Sequence, residues 1–143
     1  MTIKLYTWGY RDRTLEDLLA IIKQHGIRDV HDVRRNPDFR VQRGWRAEDI
    51  GGPISRACCG SIDSWKAYHV AIELGNQGKT AKWKRGPGAT YKLLHVATLM
   101  LGFKAVLLLC AERDAAECHR TEVAEALRRI LAAAGVECEV KHL

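Results

Sequence analysis

The chain has 143 residues and a mass of 16.1 kDa, with 47% hydrophobic and 28% charged side chains. This length and composition predict a single domain with a proper core, and they exclude an intrinsically disordered chain and a disulfide-stapled miniprotein. The formal net charge is +6, and the excess lies in residues 34–92, which carry 12 basic and 5 acidic side chains. Because the chain has neither an apolar run of membrane-spanning length nor an apolar leader, we expect a soluble, cytoplasmic protein with reduced cysteines and no membrane partner.

The N-terminal third has the pattern of a strand–helix–strand unit. Lys4–Thr7 predicts a short strand. A helix is expected to follow from Thr14, an N-cap with Asp17 three residues on, and to end at Gly26. Ile27–Val33 predicts a second strand, and a connection of this kind joins parallel strands.

The middle of the chain is basic and interrupted by glycine and proline. Residues 34–60 have no sustained periodicity and predict an extended loop at the site, whereas residues 75–89 predict a basic loop. Between these two loops, helical spacing predicts a further helix marked by Ile62, Trp65, His69 and Ile72. We therefore expect one α/β domain over residues 1–143, with an insertion-like basic segment at about 35–90.

The C-terminal third repeats the alternation of helix and strand. Thr90–Leu101 predicts a helix, and the continuous apolar run Ala105–Cys110 predicts a central parallel strand covered on both faces. A helix expected to be capped at Asp114 and ended by Gly135 leads to a last strand at Val136–His142. The predicted fold is a small α/β sandwich with a mostly parallel sheet of about four strands flanked by helices.

Polar side chains follow three of the predicted strands at their carboxyl ends, where open parallel sheets bind ligands. Arginine side chains bind phosphate or carboxylate through their planar fork, and a carboxylate at the rim of an apolar strand suits proton transfer. The predicted catalytic residues are Glu112, Asp32, Cys118 and His119. The predicted substrate-binding residues are Arg34, Arg120, Gly9, Tyr10 and Arg35.

Structural roles are open for the same residues. Asp32 and Arg34 lie on one side of a strand, so they form either a site or an ion pair that only fixes the following loop. Cys118 is either a thiolate of lowered pKa near a helix start or a buried small side chain. Arg120 is expected to point toward the core and to need a carboxylate or a bound anion there.

Basic residues interleaved with tryptophans offer a second functional hypothesis. Such a pattern is typical of surfaces that bind single-stranded nucleic acid through phosphate contacts and base stacking. The predicted nucleic-acid-binding residues are Lys82, Lys84, Arg85, Trp83 and Trp45, with Trp65 in the same basic segment. Tryptophans of the core within a solvated basic surface would give the same pattern.

Two other motifs are set aside. Gly78-Lys79-Thr80 ends like a phosphate-binding loop, but Glu73 stands where the first glycine is required. The cysteines lack the Cys-x-x-Cys spacing of zinc sites, and Cys118 and His119, as neighbours on a helix, would point about 100° apart. The sequence therefore predicts no metal site and no cofactor.

Three segments resemble the bacterial and archaeal family called domain of unknown function 488. They are Tyr6-Thr7-Trp8-Gly9-Tyr10-Arg11-Asp12-Arg13-Thr14, Asp32-Val33-Arg34, and Leu109-Cys110-Ala111-Glu112 followed by Cys118-His119-Arg120. The resemblance implies the α/β fold and a site at these strand ends, but no reaction. From the residues we expect an enzyme that acts on a phosphate-bearing substrate, a nucleotide or nucleic acid, by hydrolytic or glycosyl-type cleavage. The alternative is a non-catalytic nucleic-acid-binding module.

Overall fold

The computed structural model describes residues 1–38, 41–59, 67–78, 80 and 82–143. Strands and helices alternate along much of the chain, in the order β1 (Thr2–Gly9), α1 (Leu15–Gln24), β2 (Asp29–Asp32), α2 (Ala47–Cys59), β3 (Tyr68–Val70), α3 (Ala89–Met100), β4 (Ala105–Cys110), α4 (Arg120–Ala133) and β5 (Glu137–His142). Within these described ranges, every helix is too short or too polar to span a bilayer.

The five strands form one parallel sheet in the order β3-β2-β4-β1-β5. The predicted α/β class and mostly parallel sheet of about four strands are confirmed. The strand at the centre, β4, is buried over its whole length, as its continuous apolar sequence predicts. Gly9 at the end of β1 lies opposite Cys110 at the end of β4, so the two strands finish at the same edge.

Helices cover both faces of this sheet, and each face has its own core. On one face, alternate β4 side chains pack with α3 and α4; this core includes Val106, Leu108, Leu93, Val96, Val123 and Leu127. On the other face the remaining β4 side chains pack with α1 and α2; this core includes Leu107, Leu109, Leu18, Ile22, Ile50 and Ile54. Burial on both faces explains why β4 has no polar alternation.

The predicted boundaries of α1 are confirmed by its caps. The Thr14 hydroxyl accepts the Asp17 amide N–H at 3.1 Å, and the Asp17 carboxylate accepts the Thr14 amide N–H at 2.9 Å. These two bonds form a capping box, which satisfies amides that would otherwise have no partner at the helix start. Gly26 follows the helix at φ +62°, a conformation that favours glycine.

The prediction of an extended loop over residues 34–60 is wrong for residues 47–59, which form α2. Ile50, Ile54 and Cys58 recur every four residues and are buried against the sheet and α1. Pro53 lies inside this helix and removes one backbone hydrogen bond. The burial of the apolar stripe outweighs this loss. The glycines and the proline of this segment hide the helix from an analysis of the sequence alone.

The prediction of a helix from residue 62 to 72 is also wrong where the structure describes the chain. His69 lies on β3, directly opposite His31 of β2, and Ile72–Leu74 is a 3₁₀ turn. Ile62 and Trp65 lie outside the described residues. Strand pairing with β2 satisfies the backbone here, and periodicity alone cannot reveal such pairing over three residues.

Candidate functional site

A cavity of about 420 Å³ lies at the edge of the sheet where β1, β2 and β4 end, and we call it the crevice. Its walls come from the segments that follow these strands and from the predicted basic loop. The described lining residues are Tyr10, Arg34, Arg35, Asn36, Val41, Asn76, Gly78, Thr80, Cys110, Ala111, Glu112, Glu117, Cys118 and His119. Its position agrees with the general rule for open parallel sheets.

Two cysteines and a histidine meet in the wall of the crevice, and we call Cys110, Cys118 and His119 the thiol–imidazole cluster. The Nδ1 atom of His119 lies 3.8 Å from Sγ of Cys110 and 3.9 Å from Sγ of Cys118. The Nε2 atom of His119 lies 3.0 Å from the carbonyl oxygen of Val33. Because a carbonyl can only accept, Nε2 carries a proton and donates it, which leaves Nδ1 facing both sulfur atoms.

The surroundings of Cys118 favour its thiolate. The Cys110 thiol donates a hydrogen bond to the Cys118 sulfur, and this bond outweighs the opposing effect of burial. Together with His119 and the backbone N–H and positive charge of Arg120, it lowers the pKa of Cys118 to about 4. The same hydrogen bond and burial raise the pKa of Cys110. Within this pair, the contacts therefore favour the thiolate on Cys118 over one on Cys110.

The same three side chains are also a candidate site for a soft metal ion. Their ligand atoms lie within 4.8 Å of one another, and the bond from His119 to Val33 resembles the outer-shell bond of a metal-bound histidine. The sequence argument against this grouping assumed that Cys118 lies on a helix. Cys118 instead has an extended backbone, at φ −129° and ψ 137°, before α4 begins at Arg120. Its side chain therefore converges with that of His119.

The helix start is later than the sequence predicts. Asp114 accepts the Ala116 amide N–H at 2.9 Å and caps a 3₁₀ turn over Ala115–Glu117 rather than α4. This turn lets the chain leave β4 and re-enter a helix with the cysteine between them. The predicted cap is real, but the element that it begins is different.

Arg120 is fully buried, and the contacts of its guanidinium are internal to the protein. Its nitrogens donate to the Thr7 hydroxyl at 3.2 Å, to the carbonyl of Glu112, and to the carbonyl of Arg113 at 3.0 Å. Arg120 is not among the described residues that line the crevice. Through these bonds Arg120 holds the loop that carries Glu112. Substrate binding by Arg120 stays a prediction.

Asp32 and Arg34 form a buried ion pair. Nε and Nη2 of Arg34 donate to the two carboxylate oxygens of Asp32 at 2.9 and 2.6 Å, and Nη1 donates to the Trp45 carbonyl at 2.6 Å. The Tyr68 hydroxyl donates to the same carboxylate. Although burial opposes it, the bonds and charge of Asp32 raise the pKa of Arg34. These contacts fix the segment after β2, and proton transfer by Asp32 and substrate binding by Arg34 remain predictions.

The other predicted site residues have different positions. Glu112 lines the crevice, and its carboxylate is 2.6 Å from Nη1 of Arg11. Arg35 lines the crevice and is exposed, whereas Tyr10 lines it and stacks on Trp45 with ring centroids 4.7 Å apart. A Cβ at Gly9 would lie 1.6 Å from the carbonyl oxygen of Glu112, so Gly9 lets two chain segments approach closely.

The basic segment offers charge but few free aromatic faces. Lys82, Lys84 and Arg85 are exposed, as a nucleic-acid surface requires. Trp83 and Trp45 are only 8% and 7% exposed, so both belong to the core. Trp65, the third tryptophan of this segment, lies outside the described residues. The stacking part of the nucleic-acid hypothesis therefore lacks support from the two tryptophans that the structure describes.

A family model described as Domain of unknown function DUF488 matches residues 14–127. The chain belongs to this family. The match confirms the resemblance read from the sequence, and it covers both β4 and the start of α4 with the thiol–imidazole cluster. No curated protein and no solved structure matches the chain.

Proposed function

We propose that this DUF488 protein is an enzyme that cleaves a phosphate-bearing small molecule of the nucleotide class, with Cys118 as the nucleophile. One observation carries this proposal. The Cys118 sulfur lies just before the start of α4, 3.9 Å from Nδ1 of His119, and Cys118 lines the crevice. A thiolate at a helix N-terminus, paired with an imidazole in a cleft, is the arrangement of an activated cysteine.

The geometry supports a two-step cleavage. Nδ1 of His119 lies 3.9 Å from the Cys118 sulfur, where it is placed to pass a proton to the leaving group. The thiolate attacks the electrophilic atom of the substrate, a bond from sulfur to that atom forms, and the bond to the leaving oxygen breaks as His119 protonates that oxygen. Water then attacks the same atom, its proton passes to His119, and sulfur leaves as the thiolate. Glu112, held by Arg11, lies on the same wall and orients this water.

The walls of the crevice suit a small anionic substrate. A volume of about 420 Å³ is in the range of small-molecule sites. Arg35 provides an exposed cation, and the polar side chains of Asn36 and Thr80 line the same cavity. An arginine fork and amide donors match the oxygen atoms of a phosphate group.

The experiment compares turnover of a panel of nucleotides and sugar phosphates by wild type, Cys118→Ser and Cys138→Ser, with products identified by mass spectrometry. Cys138 is the matched control because it is a buried cysteine on β5, away from the crevice. We expect loss of at least a thousandfold in turnover for Cys118→Ser and less than twofold for Cys138→Ser. Turnover that survives in Cys118→Ser contradicts the proposal, as does the absence of any substrate in the panel.

The metal content of the same preparation decides between two uses of the cluster. A zinc ion on Cys110, Cys118 and His119 would make both sulfurs ligands rather than nucleophiles. We expect full turnover in the presence of a chelator. One zinc per chain that the Cys118→Ser variant no longer binds, and whose removal from wild type abolishes turnover, would overturn the nucleophile.

A nucleic-acid-binding module is a second candidate, favoured by the exposed cations at Lys82, Lys84 and Arg85. Fluorescence anisotropy of labelled single-stranded DNA and RNA tests it at several salt concentrations. The binding module predicts an affinity that falls linearly with salt on logarithmic axes and is lost in the triple alanine variant. The enzyme proposal predicts instead that turnover of the small-molecule substrate does not depend on these three cations and survives in the triple variant.

A further inference from the structure

A second cluster of ligating side chains lies on the sheet away from the thiol–imidazole cluster. Asp29 and His31 are two residues apart on β2, so their side chains lie on the same face of the sheet. His69 of β3 is directly opposite His31. The two imidazole rings stack with centroids 4.8 Å apart, and Nε2 of His69 lies 2.8 Å from Oδ1 of Asp29. We call these three residues the Asp–His cluster.

Two polar atoms of this cluster are buried without a hydrogen-bond partner among the described residues. They are Oδ2 of Asp29 and Nε2 of His31, and both side chains are at least 99% buried. The two atoms are 2.8 Å apart, yet the ring N–H direction does not point at the oxygen. A buried carboxylate oxygen and a buried ring nitrogen in this state are costly unless another group satisfies both.

We propose that the Asp–His cluster binds a divalent transition-metal ion and thereby ties β3 to β2. The donor set of two imidazoles and one carboxylate is the one used for zinc and for ferrous iron, with further positions open. The ligand atoms lie within 4.8 Å of one another. An ion bound by Oδ2 of Asp29 and Nε2 of His31 would engage two buried atoms that lie 2.8 Å apart without an aligned hydrogen bond between them.

The surroundings of the cluster leave room for such an ion. His31 and His69 line a cavity of about 310 Å³, together with His95 and Lys92 of α3. An ion would therefore be open to a water molecule or to an additional imidazole from α3.

The position of the cluster in the sheet assigns a role to the ion. The strand β3 has three residues and lies at the edge of the sheet, beside β2. A metal ion with ligands on both strands would cross-link this edge and stabilise the folded chain, since it binds the folded state and not the unfolded one. Tyr68 is next to His69 in the chain, and its hydroxyl donates to Asp32. The same ion would therefore also fix the position of Tyr68.

The experiment uses Co²⁺ as the probe in a Cys118→Ser background, so that the thiol–imidazole cluster does not compete. Metal-free protein is titrated with Co²⁺, and the visible absorption and the melting temperature are followed. His69→Gln is the test variant because His69 is 31% exposed, which makes a folded variant more attainable than Asp29→Asn. His25→Gln is the matched control on α1's C-cap, and far-UV circular dichroism confirms that each variant is folded.

We expect one Co²⁺ per chain, visible bands without a sulfur-to-cobalt charge-transfer band, and a raised melting temperature. His69→Gln should weaken the affinity at least tenfold, while His25→Gln should leave it unchanged. Absence of Co²⁺ binding to the parent, or equal affinity in His69→Gln, would overturn the proposal. The Asp–His cluster would then be a hydrogen-bonded network of the protein alone. Neither result depends on turnover, so the proposed function is tested separately.

Discussion

Replacing Gly9 by alanine tests whether the close approach of β1 to the loop after β4 holds the crevice in shape. The new Cβ would lie 1.6 Å from the carbonyl oxygen of Glu112 and 2.4 Å from its carbon, where real contacts need about 3.0 Å. The loop must therefore move by more than 1 Å. Such overpacking costs about 1–3 kcal/mol, and the hydrogen bond from Arg120 to Glu112, worth about 1.5–3 kcal/mol, is strained as well.

We expect Gly9→Ala to lower the free energy of unfolding by about 3 kcal/mol, which for a chain of this size corresponds to roughly 10 °C in Tm. Differential scanning calorimetry measures this shift, and turnover should fall because Glu112 is displaced. The matched control is Gly102→Ala in the turn after α3, where a Cβ would lie at an ordinary 3.5 Å from the Leu99 carbonyl oxygen and stability should change by less than about 1 kcal/mol. A Gly9→Ala protein that melts within 2 °C of wild type would refute the reasoning.

Two further substitutions test the interactions that position the site and the first helix. Asp32→Asn breaks the ion pair with Arg34 and leaves a buried cation, so urea denaturation should show a loss of about 3–5 kcal/mol; a loss below about 1 kcal/mol would contradict the pairing. Thr14→Ala removes the cap of α1 and should cost about 1 kcal/mol in the same assay, whereas no measurable change would show that the capping box is dispensable.

Patterns confined to one element of the chain predicted the fold well. The apolar run of β4 reflects burial on both of its faces, and the capping box of α1 consists of hydrogen bonds between residues three apart. Both features can therefore be recognised in the sequence. Two elements of the middle segment were hidden for physical reasons. In α2 the apolar stripe overrides glycines and Pro53, and β3 exists because β2 offers it hydrogen-bond partners.

The candidate site was predicted in location but not in arrangement. Rules for parallel sheets place Cys118, His119 and Glu112 at one edge, as the structure has them. The convergence of Cys118 with Cys110 depends on a 3₁₀ turn that no local spacing indicates. The Asp–His cluster depends on the register of β2 against β3, and long-range register is absent from single-sequence periodicity.

The state of the Cys118 thiol is the central claim, and the pH dependence of its alkylation tests it most directly. Wild type is treated with iodoacetamide between pH 5.5 and 9, the modification of Cys118 is quantified by mass spectrometry, and the chain unfolded in urea serves as the reference. Because the pKa of Cys118 is lowered to about 4, its thiolate is already formed at pH 5.5 and its rate should be nearly constant over the range. A rate that rises about tenfold per pH unit toward about 8.5, as in the unfolded chain, would contradict the account.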